Sequence, residues 1–282
     1  MKTLGYYNGK YDELDKMMIP MTDRVCWFGD GCFDTTYSRD YVIHNLNEHV
    51  DRFYRSAELL KIELPYTQDE FKELLNDLVS KMDTGENFVY FQATRGGYGP
   101  RSHVYDPTIP PNIWVVFDPR TVRPIDKKFK LITVPDLRAL TCNIKTLNLL
   151  PSIMAMQQAH EQGCDEVVFH RDGRVTECAH SNINIIKDGT FITAPTDNLI
   201  LSGIARQNLI NKCNELGYPV LETAFTVDDL FTADEVVISS SGSFALQVAE
   251  IDGKPVGGKA PDMLHAIQQS LLADYLEETK GR

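Results

Sequence analysis

Three dipeptides make the same demand on the backbone. Asn8-Gly9, Asp172-Gly173 and Asp188-Gly189 each stand between short runs rich in β-formers. Two adjacent residues that tolerate positive φ close a two-residue hairpin, and the twist of that turn matches the strands it joins. The pattern therefore predicts a hairpin at residue 9 and four short strands around the two Asp-Gly turns. A further hairpin is expected from Cys32–Tyr37 and Tyr41–Ile43, and apolar runs from Asn87 to Thr94 and from Asn112 to Asp118 read as buried strands.

Helical spacing alternates with these strands. Val50, Phe53, Tyr54, Ala57 and Leu60 form one apolar stripe, with Asn47 as the expected N-cap. Thr67-Gln68-Asp69-Glu70 is a capping box that opens a helix through Leu78 and Val79. In the second half, Leu149 to Gln162 has Pro151 in its first turn and Gly163 past its end, and helices follow near 203–216 and 261–278. Residues 119–124 include two prolines that disfavour helix and inner strand alike. The prediction is a two-domain α+β / α/β protein with a smaller domain at 1–118, a linker at 119–124 and a larger domain at 125–282.

Composition narrows the partners. Forty acidic against 28 basic residues give a net charge of −12, which repels phosphate backbones, and no basic cluster offsets it; neither nucleic acid nor a membrane is an expected partner. Residues 1–9 carry no apolar core of the kind a signal peptide has, and the longest apolar runs are strand-sized. Six cysteines occur singly, without a C-x-x-C pair or metal-ligand spacing. Reduced thiols, no metal and a cytoplasmic location are expected.

The chemistry rests on an ordered trio. Lys145, in Ile144-Lys145-Thr146-Leu147-Asn148, is expected just after a strand; Val175-Thr176-Glu177 follows, and Ser202-Gly203-Ile204-Ala205-Arg206 opens a helix. A lysine amine can form a Schiff base with an aldehyde. A carboxylate can keep a pyridine nitrogen protonated, and a helix N-terminus can cradle a phosphate. Together they describe a site for pyridoxal 5'-phosphate. Taken singly, Glu177 reads as a surface residue of a strand and Ser202 as an ordinary helix cap.

Phe28-Gly29-Asp30-Gly31, Asn47 to Arg52, Ile144 to Leu150, Ala159 to Cys164, Val175-Thr176-Glu177 and Leu201 to Arg206 resemble, in that order, the fold-type IV (class IV) aminotransferases that use pyridoxal phosphate. Within them the resemblance is strongest to the bacterial D-amino acid aminotransferases. It implies a fold-type IV enzyme in which Lys145 is both the Schiff-base lysine and the acid/base, and Glu177 pairs with the pyridine nitrogen. Arg52, the backbone of Ile204 and Ala205, Ser241 and Ser240 would hold the phosphate, with Leu201 packed on the cofactor ring. Arg101 and His103, in Arg101-Ser102-His103, match the pair that holds the substrate carboxylate, and in those relatives the pair reaches into the partner subunit's site, so a homodimer is implied. The reaction would be ping-pong transfer of an amino group from a D-amino acid, such as D-alanine or D-glutamate, to a 2-oxo acid such as 2-oxoglutarate.

Several positions depart from that group. Phe33 stands where a tyrosine usually contributes to substrate binding, and Tyr37, Tyr41 and Tyr98 are the candidates to replace its hydroxyl. Ala205 lacks a threonine hydroxyl, and His180 replaces a small residue close to Glu177. Phe33 also occurs in branched-chain L-amino acid aminotransferases, and Gly29 to Phe33 resemble aminodeoxychorismate lyases. Those two activities, and a non-catalytic cofactor-binding dimer, are the alternatives.

Overall fold

A computed structural model of the chain describes residues 1–97 and 100–281. They separate into two compact units. One gathers Met1–Thr121, Ile144–Asn148 and the stretch from Leu276 onward; the other holds Val122–Asn143 and Leu149–Tyr275.

The first unit is an antiparallel sheet with helices on one face. β1 (Leu4–Tyr7) and β2 (Lys10–Asp12) are joined by Asn8-Gly9, both at positive φ. A short helix α1 (Arg24–Phe28) precedes β3 (Gly31–Arg39) and β4 (Val42–Ile43). Helices α2 (Leu46–Leu59) and α3 (Gln68–Val79) come before β5 (Asn87–Thr94) and β6 (Asn112–Pro119). The strand order is β2-β1-β6-β5-β3-β4. Alternation along the strands sends Cys32, Val89, Phe91 and Val115 into the helix-covered core. There the Phe53 ring of α2 lies 5.1 Å from Phe91 and 5.4 Å from Phe71 of α3.

The capping box forms as read: Glu70 N–H donates to the Thr67 hydroxyl, and the Glu70 carboxylate accepts from Thr67 N–H. Helix α2 starts two residues earlier than its sequence signal. Its N-cap is Asn45, not Asn47, in a left-handed conformation that asparagine tolerates, and the Asn45 N–H is taken by the Glu278 carboxylate at 2.7 Å.

The second unit is built on a nine-stranded mixed sheet. Its elements are β7 (Phe129–Pro135), α4 (Leu150–Glu161), β8 (Glu166–Arg171), β9 (Arg174–Cys178), β10 (Asn182–Lys187) and β11 (Thr190–Thr193). They continue with α5 (Ile204–Glu215), β12 (Val220–Glu222), α6 (Val227–Thr232), β13 (Glu235–Ser240), β14 (Ser243–Ile251), β15 (Lys254–Pro255) and α7 (Pro261–Glu278). The order is β12-β11-β10-β13-β14-β7-β8-β9, with β15 on β14. The two Asp-Gly pairs close β8–β9 and β10–β11, all four residues at positive φ. β7 and β8 are parallel and linked through α4. No helix among the described residues is long and apolar enough to cross a membrane.

Candidate active site

Lys145 does not follow a strand directly. β7 ends at Pro135, because Asp136 turns the chain by accepting the N–H of Arg138 at 3.0 Å. The lysine instead lies along β3 in the first unit: Phe33 N–H donates to the Lys145 carbonyl at 3.0 Å, and Leu147 N–H to the Gly31 carbonyl at 3.1 Å. Gly31 is needed there, since a Cβ would come within 2.3 Å of the Ala93 carbonyl oxygen. This pairing carries the Lys145 ammonium over the Phe33 ring, 4.6 Å from its centre.

Arg52 is brought to the same strand from α2. Its Nε and Nη2 each donate to the Asp34 carboxylate at 2.8 Å, a bidentate grip that fixes the plane of the guanidinium. His49 Nδ1 lies 2.7 Å from the same carboxylate. Burial works to raise the Asp34 pKa, but Arg52 and His49 outweigh it and hold the carboxyl well below the usual range. Burial pushes His49 down to about 4 against the pull of Asp34, so the imidazole is neutral at pH 7. One turn after Arg52, the Ser56 hydroxyl meets Lys145 N–H at 3.4 Å. Lys145 thus lies against Phe33 and Arg52 against Asp34, consecutive residues of β3.

Arg101 and His103 are exposed on the loop between β5 and β6, and Phe28 serves both. The Arg101 guanidinium lies 4.6 Å over the Phe28 ring, and the His103 ring is 5.2 Å from it. Arg24 braces the loop, donating to the carbonyls of Ser102 at 2.7 Å and His103 at 3.3 Å while its Nε is held by Asp30. A cavity of about 200 Å³ opens beside this platform, lined in part by Arg24, Phe28, Arg95, Arg101 and Tyr105. Of the proposed replacements for the missing tyrosine, Tyr37 is buried against Phe88, Tyr41 is an exposed turn residue, and Tyr98 lies outside the described residues.

Within the second unit, Glu177, Leu201 and Gly203 gather around Asn182, which sequence reasoning missed. Glu177, buried on β9, accepts from Arg138 Nη1 at 2.5 Å, Asn182 Nδ2 at 3.1 Å and Leu201 N–H at 3.0 Å. Asn182 also donates to the Leu201 carbonyl at 3.1 Å. Its side chain packs so closely on Gly203 that a Cβ there would stand 1.9 Å from Asn182 Oδ1. Gly203, not Ser202, is the N-cap of α5, and it offers no side chain to the first-turn amides. Ile204 and Ala205 thus open a helix without a side-chain cap, an arrangement suited to an anion. Asn182 pairs with Ser239 across the sheet, and Ser240 and Ser241 follow at the tip of the β13–β14 hairpin.

Arg138 was also missed. It chelates Asp136 through Nε and Nη2 at 2.9 Å each, and Asp136 also accepts from Arg171 at 3.2 Å. Burial opposes the charge of Arg138, while Asp136 and Glu177 raise its pKa, so it stays cationic. No local pattern marks such a residue, since a charged pair in a loop reads as a solvated surface. His180 turns away from Glu177 and pairs with buried Glu166 at 2.6 Å.

Residues 31–251, which span both units and every cofactor-binding candidate, match the family described as amino-transferase class IV. The chain is a class IV aminotransferase. This aminotransferase is 39% identical to a D-alanine aminotransferase of Listeria monocytogenes over 272 residues, covering 95% of its length and 94% of the relative. It is 35% identical to the D-alanine aminotransferase of Bacillus licheniformis, with 99% of each chain covered. Its fold is that of the branched-chain amino acid aminotransferase of Escherichia coli, at a TM-score of 0.89 and 21% identity over 98% of this chain and 96% of that one. Pyridoxal 5'-phosphate is the cofactor of this class, and the residues present fit it. The aminotransferase has a lysine amine, a buried carboxylate held by three donors, and a helix opening without a side-chain cap. Amino acids and 2-oxo acids are the substrates of a transaminase.

Proposed function

We propose that this aminotransferase moves the amino group of a D-amino acid, such as D-alanine or D-glutamate, to a 2-oxo acid such as 2-oxoglutarate, in a ping-pong reaction. The observation that carries the reading is the Arg101–Phe28–His103 platform, an arginine fork and an imidazole on one ring, in a chain whose near-full-length relatives are D-alanine aminotransferases. A guanidinium matches a carboxylate through two parallel hydrogen bonds, and a histidine two residues on can add a third.

The other roles follow from the geometry of each unit. The bound cofactor supplies the electron sink that makes the substrate α-proton removable. Lys145 holds the cofactor covalently and then, as free amine, takes the α-proton and returns it on the other side of the amino nitrogen. Glu177 keeps a proton on the pyridine nitrogen, in an orientation set by Arg138, Asn182 and Leu201. Arg52, the amides of Ile204 and Ala205, and the hydroxyls of Ser240 and Ser241 would bind the phosphate, with Leu201 against the ring.

The same reading takes the chain as a homodimer in which the Arg101–His103 loop completes the partner subunit's site. Apolar side chains at Met18, Met21, Val104, Leu150, Ile153 and Met154 are each at least 60% exposed, a surface that water does not favour. The domains proposed are 1–118 and 125–282, joined by 119–124, each with its own sheet. A cytoplasmic location is supported by six free thiols.

The visible spectrum of the purified protein tests the reading, recorded before and after D-alanine, D-glutamate, L-leucine or L-glutamate, with released 2-oxo acid assayed. Bleaching by D substrates alone, with the matching oxo acid formed, is expected. Bleaching by L-leucine alone would move the protein to the branched-chain reading, which its fold also suits. Arg101→Lys should raise KM for D-alanine about tenfold, the value of one charged hydrogen bond, and leave the resting spectrum intact.

A further inference from the structure

Two buried hydrogen-bond donors of the first unit's sheet have no acceptor among the described residues: Gln92 Nε2 and Trp114 Nε1. They are neighbours by register. β3 pairs Phe33 with Gln92, and β5 pairs Gln92 with Trp114, so the three side chains form one row across the sheet. Phe91, Ala93, Ile113 and Val115 point to the helix-covered core, which puts this row on the opposite face. The Lys145 ammonium lies over the first member of the row.

The amide of Gln92 is engaged at one end. Its Oε1 accepts from the Tyr90 hydroxyl at 2.5 Å, and Tyr90 is itself stacked on Phe33 with ring centres 5.4 Å apart. That bond leaves the NH2 end of the amide as the outward group. Gln92 is 3% exposed, so water does not compensate it freely. A buried donor without an acceptor costs about 1–3 kcal/mol, and a fold keeps two such groups side by side where a ligand supplies the acceptor. Both groups are donors, so the ligand atoms are oxygens with lone pairs. Phe33 contributes no polar atom to the row. Strands are about 4.8 Å apart, which sets Gln92 and Trp114 one and two spacings from Phe33. The outer of these, about 10 Å away, is beyond the α-carboxylate of an amino acid whose nitrogen is at Lys145 and within a hydrogen bond of the distal carboxylate of an extended dicarboxylic one.

We infer that Gln92 and Trp114 are a neutral donor pair that receives a carboxylate of the amino-acid substrate, and so are specificity-determining residues of the transamination. The inference rests on the D-amino acid reading. The carboxylate is the distal one of a dicarboxylic substrate, since the α-carboxylate belongs to Arg101 and His103 in that reading.

Gln92→Glu keeps the acceptor for Tyr90 and replaces the outward donor by an oxygen; Trp114→Phe removes the indole N–H and keeps an aromatic ring. For each variant, KM and kcat are measured with D-alanine and with D-glutamate, alongside the cofactor spectrum and the thermal midpoint. D-glutamate is expected to show a KM raised about tenfold in Gln92→Glu and about threefold in Trp114→Phe, with kcat changed less than twofold and the resting spectrum unchanged. A rise for D-glutamate alone supports the pair as the distal-carboxylate site; an equal rise for both substrates overturns it. KM unmoved for both substrates in Trp114→Phe, or kcat falling with KM constant, overturns the inference. An unmodified enzyme that turns over neither D substrate would instead remove the reading on which it rests.

Discussion

Arg138 illustrates how a site depends on side chains that never meet the reacting atoms. Its guanidinium spans Asp136 and Glu177 and so holds the carboxylate proposed for the pyridine nitrogen. Arg138→Met would remove one donor from Glu177 and leave Asp136 with Arg171, the Thr176 hydroxyl and the backbone N–H of residue 138; kcat is expected to fall about tenfold or more, with weaker cofactor retention on dialysis, and an unchanged kcat would show that Asn182 and Leu201 suffice. Lys145, Glu177 and the opening of α5 could be proposed as a site from the sequence because their order is distinctive, although each residue taken singly is commonplace. Arg138 and Asn182 could not, because what gives them a role is proximity across the sheet and loops, which no spacing rule encodes. Gln92 looked like one more residue in a buried strand, and only the register with Phe33 and Trp114 gives it meaning.

Helices and strands were legible where the signal is local. The Thr67–Glu70 capping box is made by side chain and backbone three residues apart, so its sequence and its geometry coincide. Thr67→Ala should cost about 1 kcal/mol of unfolding free energy, read by urea denaturation, and leave kcat/KM unchanged. The start of α2 was misplaced because its N-cap is set by Glu278, more than two hundred residues away. The same helix carries a pH dependence. His49 has an ordinary pKa of 6.5 and is depressed to about 4 in the fold, so between these values the unfolded chain binds the proton and the folded one does not. Stability is therefore lost as pH falls from 6.5 towards 4. His49→Gln should flatten that slope in denaturation curves taken at pH 7, 6, 5 and 4; an unaltered slope would mean that other groups govern acid sensitivity.

The chain does not finish one unit before beginning the other. Residues 144–148 lie along β3, and the last turn of α7 belongs with the first unit, where the Glu278 carboxylate meets His44 Nδ1 at 2.5 Å and Asn45 N–H. Arg39 adds longer contacts, 3.5 Å each, to the carbonyls of Leu276 and Thr279. Deleting the chain from Glu277 onward should lower the thermal midpoint by several degrees, since it exposes the start of α2 and the β3–β4 hairpin together. A sedimentation experiment on the intact protein is expected to give a dimer, and Ile153→Glu with Met154→Glu on the exposed face of α4 should shift it towards monomer.

That interleaving has a counterpart in time. A ribosome releases a chain from its N-terminus, yet the edge of β3 waits for residues 144–148 and the cap of α2 for residue 278. The first third of the protein to be made is thus the last to be completed. Until residues 144–148 emerge, β3 offers open backbone groups next to the place where Lys145 will lie, and what covers them in the interim decides how much of the nascent chain survives.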